Sequence, residues 1–402
     1  MINLVFVTKG MEIGGIEKAL LNMIHLLDRK KYKIHVVLIK TTHGKMMSLF
    51  PPDVSIHCIA PEGLRQSWKR GGFFSLLYCF LYRMLIRLTK RHFSLNISLI
   101  TRLCRFPDDV PCDVLVVYSH VHYPFLWGIQ QKQKNKVLFI HQSWFSENYE
   151  AILKAHIHKF GKIVCVSDAA KHYVDTRFPR CASRTEVIHN FLVPYMIRKL
   201  SDDPVDPPLK HFCLLTVTRL HYEKGCQYIP AILHNILERG IEANWYIVGD
   251  GRLFQDLEKM IKELGLQDHL FLLGGKVNPY PYMKACDVYV QPSLQEGYGI
   301  SLQEAKILCK PIVATDIPAF RELIDSGVNG TLAVLNRSSS IIENDLDIDI
   351  QGFADAIIAL IQDQEKRDGY SKWLRSHPED VDGTELEKLD KMFSEVCGKT
   401  TV

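Results

Sequence analysis

The sequence lacks the closely spaced cysteines that zinc clusters and disulfide frameworks require. Its 402 residues include 11 cysteines, but the nearest two, Cys104 and Cys112, are eight positions apart, and no C-x-x-C occurs. Scattered cysteines of this kind favour reduced thiols and therefore a cytosolic location.

Long apolar runs are also missing. The longest, Phe73–Tyr82, has about half of the roughly 20 residues that a membrane-spanning helix needs. The first residues form a strand-like run rather than the pattern of a signal peptide. We therefore expect no transmembrane helix.

Acidic residues are absent from one long stretch, Arg65–Arg105, which carries nine Lys and Arg among many aromatics. The net charge of +4 hides a wider asymmetry, because residues 1–200 hold 29 Lys and Arg against 13 Asp and Glu. Basic and bulky apolar side chains together favour an interfacial helix on anionic lipid. The alternatives are a core helix whose arginines reach solvent, and a nucleic-acid surface, for which no binding motif is present.

Short apolar runs alternate with amphipathic stretches along the first half of the chain, which is the pattern of a doubly wound α/β fold. Helices are predicted over Ile16–Leu27 and Ala169–Phe178. The predicted strands are Ile2–Thr8, Ile34–Lys40, Val54–Ile59, Val114–Tyr118, Lys136–Ile140, Ile163–Val166 and Glu186–Ile188.

A proline- and aspartate-rich segment, Ser201–Pro208, interrupts this alternation and predicts a hinge between two domains. A polar excursion over Arg337–Ile350 and a helix over Gln351–Gln364 are expected near the end of the second half. The length also predicts two Rossmann-like domains, 1–200 and 209–368, with ligands bound in a cleft between them. The predicted strands of the second half are Phe212–Thr218, Asn244–Val248, Leu270–Leu273, Val288–Val290, Ile312–Ala314 and Thr331–Val334.

The segment Gln291–Ile324 contains two glutamates, Glu296 and Glu304, on either side of a Gly297-Tyr298-Gly299 turn. A glycine turn that opens a helix offers free N–H groups to an anion, and the carboxylates suit sugar hydroxyls. We therefore predict a site for a phosphorylated sugar. The alternative is structural, because Ser301-x-x-Glu304 also matches a capping box.

Two cations follow the first strand of the second half. Arg219 and Lys224 lie where ligands of Rossmann-like domains bind, and together they would neutralise a diphosphate. Taken without their context, they are more simply explained as solvated loop charges. Glycines at two other strand exits, Gly14-Gly15 and Gly249, allow a ligand to approach the backbone, although the first pair also suits a simple tight turn.

Histidines follow two strands of the first half. His120 and His141 are placed to bind a sugar hydroxyl or to orient an acceptor, and His122 is a further acceptor-side candidate. A metal pair of His120 and His122 lacks visible third and fourth ligands, so no metal is expected. The acidic run Asp345–Asp349 is interpreted as a solvated loop.

Taken together, these motifs resemble the retaining family-4 glycosyltransferases of the GT-B fold, in the right order over nearly the whole chain. The resemblance rests on Arg219…Lys224-Gly225, Val248–Gly251, Glu296-x7-Glu304 and Pro311–Thr315. One departure is Cys309, where the family usually has a small glycine.

The resemblance implies a role for each motif in binding the donor. Arg219 and Lys224 would hold the donor diphosphate, Glu304 the ribose, and Glu296 would lie near the donor sugar. The remaining donor contacts would come from Gly297, the amides of Gly299 and Ile300, Ser301, Gly14, Gly15, Gly249, His120, Lys276 and Val277. A final helix within Gly369–His377 would cross back to the first domain, giving a third segment, 369–402.

The expected function is transfer of a sugar from a nucleotide donor, a UDP-sugar, to a lipid-linked or polysaccharide acceptor, without metal or cofactor. Capsule, exopolysaccharide or lipopolysaccharide assembly at the inner face of the cell membrane is the expected setting. The alternatives are a sugar-nucleotide epimerase or phosphorylase of the same fold, and a non-catalytic nucleotide-binding subunit.

Overall fold

Two compact units make up the chain in a computed structural model. One unit joins Met1–Phe191 to the C-terminal segment Asp382–Val402, and the other is Leu192–Val381. The structure describes residues 1–39, 44–59, 84, 106–119, 123–337, 346–378 and 383–398.

The first unit is built on a seven-stranded parallel sheet in the order β3-β2-β1-β4-β5-β6-β7. Its strands are β1 (Ile2–Thr8), β2 (Tyr32–Leu38), β3 (Ser55–Cys58), β4 (Val114–Val117), β5 (Lys136–Ile140), β6 (Lys162–Cys165) and β7 (Thr185–Val187). Its first described helices are α1 (Gly15–Leu26), α2 (Tyr123–Gln130), α3 (Glu147–His156) and α4 (Asp168–Arg177).

The second unit contains a six-stranded parallel sheet in the order β10-β9-β8-β11-β12-β13. Its strands are β8 (Cys213–Val217), β9 (Asn244–Val248), β10 (Leu270–Leu272), β11 (Val288–Gln291), β12 (Ile312–Thr315) and β13 (Thr331–Ala333). Its helices are α5 (Pro194–Leu200), α6 (Ile229–Glu238), α7 (Phe254–Glu263), α8 (Tyr280–Ala285), α9 (Ile300–Ile307), α10 (Pro318–Arg321), α11 (Ile350–Gln362) and α12 (Gln364–Ser376). A two-stranded antiparallel ribbon joins β14 (Leu335–Arg337) to β15 (Leu346–Ile348).

Central strands of both sheets are buried on both faces, which explains their continuous apolar sequence. β4 and β11, for example, consist entirely of buried residues. Each sheet reverses its strand order once, between β1 and β4 in the first unit and between β8 and β11 in the second. Ligands of open α/β sheets bind beyond the carboxyl ends of the strands at such a reversal.

All thirteen predicted strands are present, each within two residues of its predicted bounds. The predicted polar excursion Arg337–Ile350 is partly wrong, because Leu346–Ile348 forms a strand and Ile348 packs into the core of the second unit. Alternating Asp and apolar residues had obscured this short strand.

The observed boundary between the units precedes the predicted one. α5, placed within 1–200 by the sequence, belongs to the second unit because Ile197 and Leu192 pack in the same core as Leu215. The predicted hinge Ser201–Pro208 is held on that unit as well, since the Tyr282 hydroxyl donates to the carbonyl of Asp206.

The final helix differs from the predicted crossing segment. Gly369–His377 lies largely in α12 of the second unit, whereas the helix that completes the first unit is α13 (Gly383–Val396). Phe393 on α13 meets the rings of Phe6 and Tyr32 edge-on, and Asp390 accepts a hydrogen bond of 2.9 Å from the Tyr32 hydroxyl. The apolar face of α13 is therefore part of the core beside β1 and β2.

Glu385 anchors the start of α13 to the segment after β7. Its carboxylate accepts from the backbone N–H of His189 at 2.9 Å and from Lys388 at 2.6 Å, and it lies 3.3 Å from the His189 ring. Burial raises the pKa of Glu385, but these hydrogen bonds outweigh it and lower the pKa to about 2.

None of the helices in the described ranges is both long and apolar enough to cross a bilayer. The basic stretch Arg65–Arg105 lies outside the described residues, except for residue 84, so its predicted contact with a membrane stays a prediction.

Glu385→Gln is predicted to lower the free energy of unfolding at pH 7 by about 1–3 kcal/mol, the usual value of hydrogen bonds to a charged group. Because the folded pKa lies below the unfolded value of 4.5, the wild-type contribution is present above pH 4.5 and is lost as the pH falls towards 2. Urea unfolding at pH 7, 5 and 3 measures both effects. Glu387→Gln, an exposed change on the same helix, is the control, and an equal loss in wild type and Glu385→Gln on acidification would contradict the assignment.

Candidate functional site

The loop after β8 is locked against the loop after β11, at the strand-order reversal of the second sheet. The N–H groups of Leu294 and Gln295 both donate to the carbonyl of Glu223, at 3.0 and 3.1 Å. Gly225 has a φ of 66°, and a Cβ at this position would overlap the carbonyl oxygen of Pro292. The close approach of the two loops therefore requires glycine at position 225.

This lock brings the predicted cation Lys224 to the first predicted glutamate. The Lys224 Nζ lies 2.8 Å from the Glu296 Oε1, and each side chain is only 12% exposed. Lys224 also lies 3.4 Å from the carbonyl of Gln295. An ammonium has three donors, so Lys224 can hold Glu296 and a phosphate oxygen together.

Arg219 is much more exposed than Lys224, because 56% of its side-chain surface is open to solvent. Its guanidinium lies 3.8 Å from Glu223, which also hydrogen-bonds the ring of His221. Burial raises the pKa of Glu223, but hydrogen bonds from its own N–H and from His221, with the nearby charges, hold it below its usual range. Arg219 is thus a surface cation on the same loop as Lys224, and Glu223 holds its guanidinium only loosely.

The glycine turn ends in a left-handed residue that starts α9. Gly299 has a φ of 70° and is the N-cap, and a Cβ there would lie 2.7 Å from the ring of Phe320. Ser301 is consequently the second residue of the helix rather than its cap, so the capping-box alternative is wrong. The first turn of α9, with the amides of Gly299 and Ile300, has the geometry that suits an anion.

The second glutamate is buried at the same helix. Glu304 is 1% exposed, and its Oε1 accepts a hydrogen bond of 2.8 Å from the Tyr280 hydroxyl on α8. Burial, and then the charge of Glu304, raise the pKa of Tyr280 well above its usual value, so the phenol stays a donor. This bond fixes the direction of the Glu304 carboxylate.

Tyr289 on β11 lies within electrostatic reach of both glutamates. Burial is the main cause that raises its pKa, and the charges of Glu304 and Glu296 raise it further, while a hydrogen bond with Ser301 opposes this. The structure therefore brings Lys224, Glu296, Ser301 and Glu304 to one end of the second sheet, as the motifs predicted.

Other predicted donor contacts lie at neighbouring strand exits. Gly249 follows β9, and a Cβ there would overlap the carbonyl of Thr218, so the loops after β8 and β9 also pack closely. The Lys276 ammonium lies 5.7 Å from the ring centre of Tyr282, and Val277 is exposed.

In the first unit, α1 begins at Gly15 with Gly14 as its N-cap, and the Glu17 carboxylate occupies the space that a Gly14 Cβ would fill. His141 is buried, and its Nε2 lies 2.7 Å from the carbonyl of Tyr118. His120 and His122 lie outside the described residues. The roles expected of Gly14, Gly15 and the three histidines stay predictions.

The acidic run near β15 makes local backbone contacts. Asp349 is the N-cap of α11 and accepts from the N–H of Gly352 at 3.1 Å, while Asp347 accepts from the N–H of Ile348. Asp345 lies outside the described residues. Two of the three carboxylates thus have structural roles.

Family models match both halves of the chain. Residues 13–194 match the model described as Glycosyltransferase Family 4, and residues 198–376 match the one described as Glycosyl transferases group 1. The chain belongs to this family of glycosyltransferases. The two matched segments correspond closely to the two compact units, apart from the C-terminal segment Asp382–Val402 of the first unit.

A solved structure shares the fold of this chain. HepE of Anabaena, solved in complex with UDP and glucose, superposes with a TM-score of 0.71 at 18% identity, covering 98% of this chain and 100% of HepE. The superposition shows that this glycosyltransferase has the GT-B fold, with two parallel-sheet α/β domains.

Curated relatives are matched over part of their length. An uncharacterized glycosyltransferase of Methanocaldococcus jannaschii is 25% identical, over 54% of this chain and 60% of the relative. The UDP-Gal:alpha-D-GlcNAc-diphosphoundecaprenol alpha-1,3-galactosyltransferase of Escherichia coli is 29% identical, over 38% and 37%. The chain thus spans less than two thirds of the length of these two relatives.

Several polar residues of this candidate site were not predicted from the sequence. Tyr280, Tyr289, Gln291 and Ser293 are all buried and hydrogen-bonded beside the two glutamates. The signal available was the polar pair Gln291 and Ser293 directly after an apolar strand. The partner of Glu304 carried no such signal, because Tyr280 is 24 positions away.

Gly225→Ala is predicted to destabilise the second unit by about 2–5 kcal/mol, since it combines a left-handed backbone with overlap of the Pro292 carbonyl. Gly265→Ala is the matched control, because Gly265 has a φ of 67° and open space around it. It should cost only about 1–2 kcal/mol of backbone strain. Thermal unfolding of both variants provides the measurement, and equal losses would show that the loops do not need this close approach.

Proposed function

We propose that this glycosyltransferase moves a sugar from a nucleotide-sugar donor, a UDP-sugar, to a lipid-linked or polysaccharide acceptor with retention of anomeric configuration. The observation that carries the proposal is the Lys224–Glu296 pair beside the start of α9, at the strand-order reversal of the second sheet. A cation, a carboxylate and a helix N-terminus together suit a sugar diphosphate.

Each part of the donor has a proposed partner on the second unit. The ammonium of Lys224 and the guanidinium of Arg219 bind the diphosphate, whose distal phosphate accepts from the amides of Gly299 and Ile300. The buried carboxylate of Glu304, oriented by Tyr280, accepts from the ribose hydroxyls. Lys276 and Val277 border the base.

The choice of uridine is supported by two of the relatives. HepE was solved with UDP, and the name of the Escherichia coli enzyme includes UDP-Gal. The same name includes a diphosphoundecaprenol, which supports a lipid-linked acceptor and an assembly role in capsule, exopolysaccharide or lipopolysaccharide. We propose that the enzyme works at the inner face of the cell membrane.

Electrostatic stabilisation of the leaving group is the proposed source of catalysis. Negative charge builds on the departing phosphate as the glycosyl bond breaks, and a fixed ammonium with a helix N-terminus stabilises that charge. Glu296 is bound to Lys224 and to Ser293 through Oε1, which favours an orienting role over that of a covalent nucleophile. The acceptor hydroxyl attacks the sugar on the same face from which the diphosphate departs, so the anomeric configuration is retained. The departing phosphate takes up the proton of that hydroxyl.

Lys224→Met is predicted to weaken donor binding by about tenfold to a hundredfold, through loss of a charge-assisted contact, and to reduce transfer further. The double variant Lys224→Met/Glu296→Gln removes both charges and tests whether Lys224 serves only to neutralise Glu296. Lys224→Met removes the cation beside Glu296 and should therefore lower stability. We expect the double variant to regain that stability but not the transfer activity. Recovery of transfer would contradict a phosphate-binding role, and Lys259→Ala, an exposed lysine on α7, is the control.

The reaction class is tested by incubating the enzyme with UDP-sugars, with and without lipid-linked and polysaccharide acceptors. We expect a new glycosidic product only with acceptor, and NMR coupling constants that show the donor's anomeric configuration in it. A new UDP-sugar formed without acceptor would indicate an epimerase, and binding without turnover a non-catalytic subunit. Excess EDTA is expected to leave the rate within about twofold, because fixed cations replace a metal.

A further inference from the structure

A directional chain of buried hydrogen bonds leads from Tyr289 to the Glu296 carboxylate. The Tyr289 hydroxyl donates to the Gln291 Oε1 at 2.8 Å, and the Gln291 Nε2 donates to the Ser293 Oγ at 2.8 Å. The Ser293 hydroxyl then donates to the Glu296 Oε1 at 3.0 Å. Tyr289, Gln291 and Ser293 are fully buried, so water does not compete for these bonds.

The order of donors and acceptors in this chain can run in one direction only. Glu296 as a carboxylate accepts and does not donate, so the Ser293 proton must point towards it. Ser293 must then accept from Gln291, which presents its amide nitrogen and turns its carbonyl to Tyr289. Gln291 and Ser293 each carry both a donor and an acceptor, so each passes the direction of the chain on to the next residue.

The chain ends at the oxygen that also binds Lys224. The Glu296 Oε1 receives the Ser293 hydroxyl at 3.0 Å and the Lys224 ammonium at 2.8 Å. Two donors from different loops define the position of this oxygen more tightly than one would. The Ser293 backbone is itself held, since the Thr315 hydroxyl donates to its carbonyl.

The other end of the chain reaches the helix that starts the anion site. Ser301, the second residue of α9, is near enough to the Tyr289 hydroxyl to oppose the rise in the pKa of that phenol. The path Tyr289–Gln291–Ser293–Glu296 therefore runs from a phenol near the start of α9 to the carboxylate beside Lys224.

We propose that Gln291 and Ser293 are positioning residues that orient the Glu296 carboxylate, and through it Lys224, for the transfer reaction. The inference rests on the proposed function, because Glu296 and Lys224 matter here as donor-binding groups. Neither Gln291 nor Ser293 touches the donor in this scheme. Their substitution should change kcat more than the KM for the UDP-sugar.

Gln291→Glu tests the direction of the chain with an almost isosteric side chain. In its protonated form the introduced carboxyl still donates to Ser293 and accepts from Tyr289. Once ionised it can only accept, so the Ser293 proton turns away from Glu296. We expect the kcat of the variant, divided by that of wild type, to fall at least about tenfold between pH 6 and 9, because burial moves carboxyl titration upward into this range.

Gln291→Met is the matched control, since it removes both amide groups and cannot titrate. Tyr289 keeps an acceptor in this variant, the carbonyl of Val217 at 3.3 Å. Its kcat relative to wild type should be reduced by a factor that does not vary with pH. A flat ratio for Gln291→Glu as well would overturn the proposal.

A second variant separates orientation through Ser293 from simple repulsion by the new charge. In Gln291→Glu/Ser293→Ala the hydroxyl of residue 293 is missing, so the pH dependence of the kcat ratio should disappear. If the pH dependence persists, the new charge acts through space and the chain of hydrogen bonds plays no part. If Gln291→Glu does not fold, Ser293→Ala alone is decisive. It should lower kcat about tenfold, while the KM and the Kd for the UDP-sugar stay within twofold. An unchanged kcat, or a KM that rises as much as kcat falls, would overturn the proposal.

These outcomes are distinguishable from failure of the proposed function. If wild type neither binds nor uses any UDP-sugar, the function is wrong. If wild type transfers sugar and Glu296→Gln does not, but Gln291→Glu follows the wild-type pH profile, the function stands and the positioning role falls.

Discussion

The contact between the loops after β8 and β11 is the constraint on which the candidate site depends. Parallel strands end at one edge of a sheet, so the order reversal between β8 and β11 already brings their loops together. Gly225 then permits the backbone of one loop to lie directly against Pro292 of the other. The Lys224–Glu296 pair follows from this backbone contact rather than from attraction between two long side chains.

Charges of opposite sign are arranged in this site according to their distance from solvent. Glu304 is buried and takes its direction from a phenol, Glu296 is nearly buried and takes its direction from a hydroxyl and an ammonium, and Arg219 is exposed. Buried polar groups with fixed partners change little when a ligand arrives. An exposed arginine can adjust to different ligand positions. The site thus combines rigid carboxylates with one adaptable cation.

Much of the fold was predictable because apolar strands of a parallel sheet stand out between amphipathic helices. The motifs also placed Lys224, Glu296 and Glu304 together correctly. The predicted hinge Ser201–Pro208 lies inside the second unit, because local composition marks an irregular segment but not the unit that it packs on. The Tyr280–Glu304 bond and the return of α13 depend on contacts between distant residues, which no local pattern reports.

The return of α13 also affects the order in which the units can be completed during synthesis. The second unit is one uninterrupted stretch, Leu192–Val381, and all its residues are synthesised before α13. The first unit begins earlier but finishes later, because the helix that covers Phe6 and Tyr32 follows the whole of the second unit in sequence. A nascent chain therefore carries an exposed apolar surface beside β1 and β2 until α13 has been synthesised, a period in which chaperones would be its natural partners.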